Sequence, residues 1–113
     1  MRFSTSLKKN HEFRRLYAKG RSAASNLAVV YCRNNRSKSN RLGITVSSKL
    51  GNAVVRNRIR RRFKEAYRLN EEKLTPGHDI VIVARARSRS AGFAGLQDDL
   101  MRLFKKLDIA SGK

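Results

Sequence analysis

The residues with the clearest chemical potential form a dense run of cations between positions 56 and 68. Seven of these thirteen positions carry Lys or Arg. They are Arg56, Arg58, Arg60, Arg61, Arg62, Lys64 and Arg68. A guanidinium group presents a planar fork of N–H donors that matches the oxygens of a phosphate. Glu65 is the one carboxylate in the run, so like charges repel one another in the free helix. The pattern favours contact with a polyanion over a solvated helix face.

The sequence offers no comparable set of groups for catalysis. A nuclease would need paired carboxylates or histidines that hold Mg²⁺ or act as acid and base. Asp98 and Asp99 are adjacent, but we expect them on a solvated helix face or as weak partners of its N-terminal dipole. His11 and His78 are far apart in sequence. We therefore expect no catalytic residue and no metal bound by the protein alone.

Apolar spacing predicts the helices that position these groups. A first short helix runs from Asn10, a candidate N-cap, to Gly20, a candidate residue beyond the C-terminus. A second helix is predicted over 53–70, where apolar residues recur beneath the cations at Val55, Ile59, Phe63 and Ala66 or Tyr67. A third carries a stripe made of Phe93, Leu96, Leu100, Leu103, Phe104 and Leu107. The cationic run therefore lies on a helix that also has a core-facing side.

Three segments have the composition of strands. Residues 27–32 are rich in β-branched and aromatic side chains, and residues 80–84, which follow a Pro-Gly turn, are apolar on both faces. Residues 41–48 alternate apolar positions with Gly43, Thr45 and Ser47, whose small face could admit a ligand backbone closely. With the first strand region split, the order is α-β-β-β-α-β-α. This order predicts an α+β sandwich with a small mixed sheet and a central strand at 80–84.

Composition limits the partners. The 113 residues suffice for one domain, 1–113, with about 1–8 and 109–113 expected to be flexible. A formal charge of +19 favours nucleic acid, because each neutralised phosphate releases counterions. A membrane surface is the weaker alternative, because no segment pairs a basic face with a broad apolar one and a lipidation signal. Cys32 lies in an apolar run, and no secretory signal is visible, so we expect a cytoplasmic protein.

One stretch is recognisable as a family motif. Residues 49–64, KLGNAVVRNRIRRRFK, closely resemble the signature of the bacterial ribonuclease P protein subunit. The likeness extends over nearly the whole chain and includes Phe13, Tyr17, Tyr31 and the run RLGITVS at 41–47. It implies a subunit that binds a large catalytic RNA, one protein per RNA. The complex removes the 5′ leader from precursor tRNA by Mg²⁺-dependent hydrolysis, and the RNA performs the chemistry.

The resemblance also implies two RNA-binding surfaces. A basic loop and helix would face the catalytic RNA through Lys49, Arg56, Asn57, Arg60, Arg61 and Lys64, and we add the remaining cations Arg58, Arg62 and Arg68. A cleft between the first helix and the sheet would hold the single-stranded leader through Phe13, Tyr17 and Tyr31. Stacking on aromatic rings beside cations is how single strands are commonly held, although core packing would explain Phe13 equally well. The family further implies a left-handed β-α-β crossover, against the usual right-handed rule.

Two other classes of protein share some of these features. A ribosomal or other RNA-scaffold protein would share the charge, size and sheet, but we would not expect the full motif in it. A DNA-binding regulator would need a helix face that mixes Asn, Gln and Arg for base edges, whereas this one is nearly uniform cation. The sequence therefore favours the ribonuclease P subunit.

Overall fold

A five-stranded mixed sheet with helices on both faces forms the protein, as seen in a computed structural model that describes residues 4–110. The helices are α1 (Asn10–Lys19), α2 (Ala53–Asn70) and α3 (Phe93–Lys106). The strands are β1 (Ser4–Ser6), β2 (Arg21–Ala24), β3 (Ala28–Asn34), β4 (Asn40–Thr45) and β5 (His78–Ala84). The sheet order is β1-β4-β5-β3-β2, with β4 parallel to both neighbours and β3 antiparallel to both of its own. The predicted α+β sandwich and the central position of β5 are confirmed.

The alternation of side chains along β5 separates two apolar layers. Ile80 and Ile82 belong to the main core, which α2 and α3 close from one side of the sheet. Val81 lies on the other side with Leu7 and Leu16, beneath α1. Because successive residues of a strand point to opposite faces, one short strand supports both layers. Each fully buried aliphatic side chain of this kind contributes about 1.5–3 kcal/mol to stability.

Helix α2 occupies the predicted range, 53–70. Its N-terminus is capped by Asn52, whose Oδ1 accepts a hydrogen bond from the backbone N–H of Val55 at 3.0 Å. Of the predicted stripe, Ile59, Phe63 and Ala66 are buried, and Val55 is partly buried. The apolar stripe therefore fixes the orientation of the helix and leaves its cations on the outside.

The ends of α1 differ from the prediction. The N-cap is Lys9, not Asn10, and the carboxylate of Glu12 accepts a hydrogen bond from the Lys9 backbone N–H at 3.3 Å. Gly20 has an extended conformation, φ −78°, so it is not a left-handed glycine at the helix C-terminus. Glycine is required there for another reason, because a Cβ atom would lie 2.6 Å from the carbonyl oxygen of Leu16.

The sequence assigned no strand to 4–6 or to 21–24, and the bounds of the others shift. Ser-Thr-Ser in β1 is short and polar, so it lacks an apolar signal. Its place is set by long-range contacts: the backbone N–H of Leu7 donates to Leu42 at 2.9 Å, and the hydroxyls of Ser4 and Tyr67 lie 2.6 Å apart. Part of the segment expected to be flexible is thus a strand, whereas 1–3 and 111–113 lie outside the described residues. Strand β4 ends at Thr45, earlier than predicted, because Ser47 caps a single helical turn at Ser48–Leu50.

Helix α2 connects two parallel, adjacent strands, β4 and β5. This is the β-α-β crossover for which the family resemblance implies a left-handed connection, and that handedness stays a prediction. Among residues 4–110, no helix has both the length and the apolar character needed to cross a bilayer.

Candidate RNA interface

The first helix covers only part of its face of the sheet. Strand register places Gly43, Val81 and Tyr31 side by side across β4, β5 and β3. The ring of Phe13 lies over Gly43 so closely that a Cβ atom there would come within 2.6 Å of it. The small face of β4, which we expected to admit a ligand backbone, therefore receives Phe13 instead. Part of the role of Phe13 is packing.

Two tyrosines and the ring of Phe13 meet at the edge of this contact. The Tyr17 and Tyr31 rings lie edge to face, with centroids 5.0 Å apart, and the Tyr17 hydroxyl lies 3.2 Å from Oγ1 of Thr45. Tyr17 is 41% exposed. It borders an open depression of about 590 Å³ together with Asn10, Phe13, Arg14 and Thr45. The structure thus brings the three predicted aromatic residues together beside a cation.

The floor of the cleft continues onto the sheet beyond Tyr17. The next row on the same face consists of Val29, Val83 and Thr45, which pair across β3, β5 and β4 and are half-buried. Because α1 leaves them partly uncovered, they form a small apolar strip next to the tyrosine rings. Only strand register reveals this strip, since the three residues are distant in sequence. A base could lie against it while Arg14 approaches the backbone phosphate.

The cations of α2 divide between two flanks of the helix. At 100° per residue, Arg56, Asn57, Arg60 and Lys64 lie on one side of the buried stripe. Arg58, Arg61 and Arg62 lie on the other side, toward the N-terminus of α3, where they line a common pocket with Phe93. The cationic surface is therefore wider than a single ridge.

Internal partners satisfy few of these cations. Arg68 pairs with Glu65, its Nε donating to Oε1 at 3.0 Å, and Arg62 donates to the carbonyl of Ala91. Arg60 donates to the side-chain oxygen of Asn57 at 3.0 Å. Within residues 4–110, no ion pair involves the remaining members of the run, which are Arg56, Arg58, Arg61 and Lys64. Most of the repulsion on α2 is therefore not offset by carboxylates of the described chain.

Arg56 is the clearest case of a cation on α2 without an internal partner. Its Nε is buried and has no hydrogen-bond partner among residues 4–110. A buried donor that lacks a partner costs about 1–3 kcal/mol, and more when it is charged. The described chain therefore supplies Arg56 with neither an ion pair nor an acceptor for its Nε.

A short segment links the cleft to the basic helix. Thr45, at the rim of the cleft, ends β4, and the turn Ser48–Leu50 presents the exposed Lys49 before α2 begins. The Ser47 side chain holds this turn by accepting a hydrogen bond from the Lys49 backbone N–H at 3.2 Å. Lys49 thus lies along the chain between the two predicted RNA-binding surfaces.

Comparison with known proteins identifies the family. The ribonuclease P family model matches residues 1–108. The chain belongs to the ribonuclease P protein family. The ribonuclease P protein component of Alkaliphilus metalliredigens is 44% identical over 98% of this chain and 100% of its own length. That of Clostridioides difficile is 47% identical over 92% of each.

Solved structures of ribonuclease P proteins share the fold. The Staphylococcus aureus protein superposes with a TM-score of 0.86 at 36% identity, covering 94% of this chain and 97% of that one. The Thermotoga maritima protein superposes with a TM-score of 0.83 at 30% identity, covering 89% of this chain and 96% of that one. Membership makes this chain part of a ribonucleoprotein endoribonuclease, partnered with ribonuclease P RNA, that acts in tRNA 5′ processing.

Of the two adjacent aspartates of this ribonuclease P protein, Asp99 has structural partners. Asp99 is only 7% exposed, which corrects the expectation of a solvated position. Its carboxylate accepts a hydrogen bond from the Ser25 hydroxyl and pairs with Arg102 at 2.6 Å, whereas Asp98 is exposed. Over residues 4–110, no three His, Cys, Asp or Glu side chains are grouped so that they could hold a metal ion.

Sequence reasoning missed an ion cluster that positions α1. Arg41 on β4 donates to both oxygens of Asp79 on β5, at 2.8 and 2.7 Å, and also pairs with Glu12 on α1. Asn35 donates to the same Asp79 carboxylate at 2.9 Å. Burial by itself would raise the pKa values of Glu12 and Asp79. The hydrogen bonds and the charge of Arg41 outweigh burial, so both pKa values lie below normal.

Replacing Arg41 with methionine is expected to destabilise the fold by about 2 kcal/mol at pH 7, because two partly buried carboxylates lose their partner. A carboxyl group with a lowered pKa stabilises the native state above its unfolded-state pKa, and this contribution disappears as pH falls through the folded-state pKa. The difference between wild type and variant should therefore shrink below about pH 4. Urea unfolding of both proteins at pH 7 and at pH 3 measures this difference in the free energy of unfolding.

The matched control is Arg36→Met, which removes an exposed cation of the neighbouring loop that forms no ion pair within residues 4–110. It corrects for the loss of one positive charge. A pH-independent difference for Arg41→Met would show that packing, rather than the carboxylates, causes the loss.

Proposed function

We propose that this ribonuclease P protein binds the catalytic RNA through α2 and the turn at Ser48–Leu50. The proposal depends on one observation, which is that α2 carries a set of cations largely without internal partners. Condensed phosphates of an RNA would offset their repulsion and supply acceptors to each guanidinium fork. The nearly uniform cationic face suits backbone contacts rather than base-edge readout.

The cleft between α1 and the sheet would hold the single-stranded 5′ leader of precursor tRNA. Support comes from the half-exposed Tyr17 ring, its edge-to-face contact with Tyr31, and the apolar strip beyond them. A base stacked on an aromatic platform gains about 1–3 kcal/mol. Phe13 contributes mainly by fixing α1 on Gly43, so that Tyr17 is held at the rim. The link through Lys49 would let one RNA–protein complex engage both surfaces.

Chemistry in this proposal belongs to the RNA. The protein would position the leader and shield phosphate charge, and Mg²⁺ would serve the RNA–protein complex, one protein to each catalytic RNA. The donor set favours this division, because four carboxylates each pair with an arginine: Glu12, Glu65, Asp79 and Asp99. A carboxylate held by a guanidinium is a poor ligand for a hard cation.

Reconstitution tests the proposed function. The protein should cleave no precursor tRNA when incubated alone with Mg²⁺. Added to ribonuclease P RNA at a low Mg²⁺ concentration, it should restore removal of the leader, because its cations replace part of the charge screening that the RNA otherwise takes from the metal. Gel analysis of the 5′-end-labelled precursor measures both. Cleavage by nuclease-treated protein without RNA would contradict the proposal, and so would RNA activity at low Mg²⁺ that the protein does not increase.

A further inference from the structure

The second flank of α2 forms a pocket with the start of α3. Arg58, Arg61, Arg62 and Glu65 line about 360 Å³ together with Phe93, the first residue of α3. Phe93 is half-buried: part of its surface packs against the main core, and part faces this pocket. An aromatic side chain thus lines the same pocket as three arginines and a glutamate, on the face of the sheet opposite the α1 cleft.

The charged groups of this pocket are not equivalent. Arg62 is engaged by the carbonyl of Ala91, and Glu65 is engaged by Arg68. Arg58 and Arg61 form no ion pair within residues 4–110. The hydrogen bond from Arg68 lowers the pKa of Glu65, which therefore stays ionised at neutral pH. The pocket consequently offers a flat apolar surface, two available cations and an oxygen pair that only accepts hydrogen bonds.

We propose that this pocket holds one unpaired guanine base of an RNA strand that lies along α2. The base would stack on Phe93, and Arg58 and Arg61 would contact its flanking phosphates. The Glu65 carboxylate would exchange its exposed pair with Arg68, which contributes little to stability, for hydrogen bonds from the guanine N1–H and 2-amino group. This inference rests on the proposed function, because it needs an RNA on α2. It adds a base-specific contact to a helix whose other contacts are to the backbone.

The hydrogen-bonding groups select the base. The Watson–Crick edge of guanine carries two adjacent N–H donors, which match the two oxygens of a carboxylate. Uracil has a single N–H between two carbonyl oxygens on that edge, so those oxygens would face the Glu65 charge. The cations alone would accept any nucleotide, and stacking alone tolerates every base. Selectivity would therefore come from Glu65.

A first experiment tests the stacking surface with two RNAs, ribonuclease P RNA and precursor tRNA, each added separately to the full-length protein. Phe93→Leu keeps an apolar side chain against the core but removes the ring. It should weaken binding of the RNA that supplies the base about tenfold, without changing the salt dependence, because no charge is lost. Phe93→Tyr should bind like wild type. Thermal unfolding of each variant confirms that it is folded.

Measuring the two RNAs separately identifies which one supplies the base, because the loss of affinity in Phe93→Leu should appear only with the RNA that inserts the base into the pocket. Equal binding of Phe93→Leu and wild type to both RNAs would overturn the inference while leaving the proposed function intact. Failure of the wild-type protein to bind ribonuclease P RNA would instead overturn the proposed function.

A second experiment tests the base preference with GMP and UMP as probes. Titration of each into the protein, followed by the NMR signals of Phe93 and its neighbours, should show tighter binding of GMP. Glu65→Gln should remove most of the preference, because a neutral amide cannot accept both donors. The measured quantity is the ratio of the GMP affinity to the UMP affinity. The loss of the Glu65 charge in this variant strengthens binding of both nucleotides alike, so it cancels in the ratio. Equal affinities in the wild type would overturn the proposed role of Glu65.

Discussion

A variant with Arg56 and Arg61 both replaced by alanine is expected to bind ribonuclease P RNA about a hundredfold more weakly than the wild type. Hydrogen bonds to charged groups contribute about 1.5–3 kcal/mol each, and neither guanidinium has an ion partner within residues 4–110 to lose. Each phosphate contact also contributes about 0.9 to the slope of log affinity against log salt concentration. Filter binding across a salt series should show the slope falling by about two units.

The single variants Arg56→Ala and Arg61→Ala show how much each flank of α2 contributes to the loss of RNA affinity. Arg56 lies with Asn57 and Lys64, whereas Arg61 lies in the Phe93 pocket. Lys105→Ala is the matched control, because it removes one exposed cation near the far end of α3, about 18 Å along the helix from Phe93. If the double variant kept the wild-type salt slope, or if Lys105→Ala lowered that slope equally, the proposal that α2 binds the RNA would be wrong. Stability should not fall much, since removing like charges relieves repulsion on the helix.

Tyr17→Ala is expected to weaken binding of precursor tRNA about tenfold in the assembled complex while leaving mature tRNA nearly unaffected. The substitution removes an exposed ring, its contact with Tyr31 and its hydroxyl contact with Thr45, so a base loses its stacking surface. Tyr17 is preferred to Phe13 for this test, because loss of the Phe13 ring would also leave a cavity over Gly43. Affinities for both tRNAs, measured with the same RNA–protein preparation, provide the comparison.

Tyr17→Phe separates stacking from hydrogen bonding. It keeps the ring and loses only the hydroxyl, so precursor binding should stay within about twofold of wild type if stacking dominates. Precursors with one-nucleotide and longer leaders extend the test, since the alanine variant should lose affinity only for a leader long enough to reach the cleft. Equal losses on mature and precursor tRNA would mean that the α1 cleft does not hold the leader.

Secondary structure was predicted most accurately where apolar residues recur at short, regular spacing. The apolar stripe of α2, with Ile59 and Phe63 at its centre, gave the bounds of that helix correctly, because burial on one side fixes both its period and its orientation. The polar strand β1 was missed for the converse reason. Its three residues carry no apolar period, and only pairing with β4 and the contact between Ser4 and Tyr67 place it.

Residue types alone also misjudged individual side chains. Asp99 was expected in solvent because most aspartates are exposed, but the Ser25 hydroxyl and Arg102 bury and satisfy it. Arg41 attracted no attention in the sequence, yet it joins α1 to two strands through Glu12 and Asp79. Apart from Arg102, which is three positions from Asp99, these partners lie 29 to 74 positions apart, so no local window contains both members of such a pair.

The cationic run, its helix and the family motif were determined by the sequence itself, because charge density and helical period depend on neighbouring residues. Only the tertiary structure decided which cations lack partners and that Phe93 lies beside one flank of α2. The same holds for the cleft, where strand register brings Tyr31 and Thr45 beside Tyr17. The physical reason is that sheet pairing and helix docking are long-range events, and they alone set which side chains share a surface.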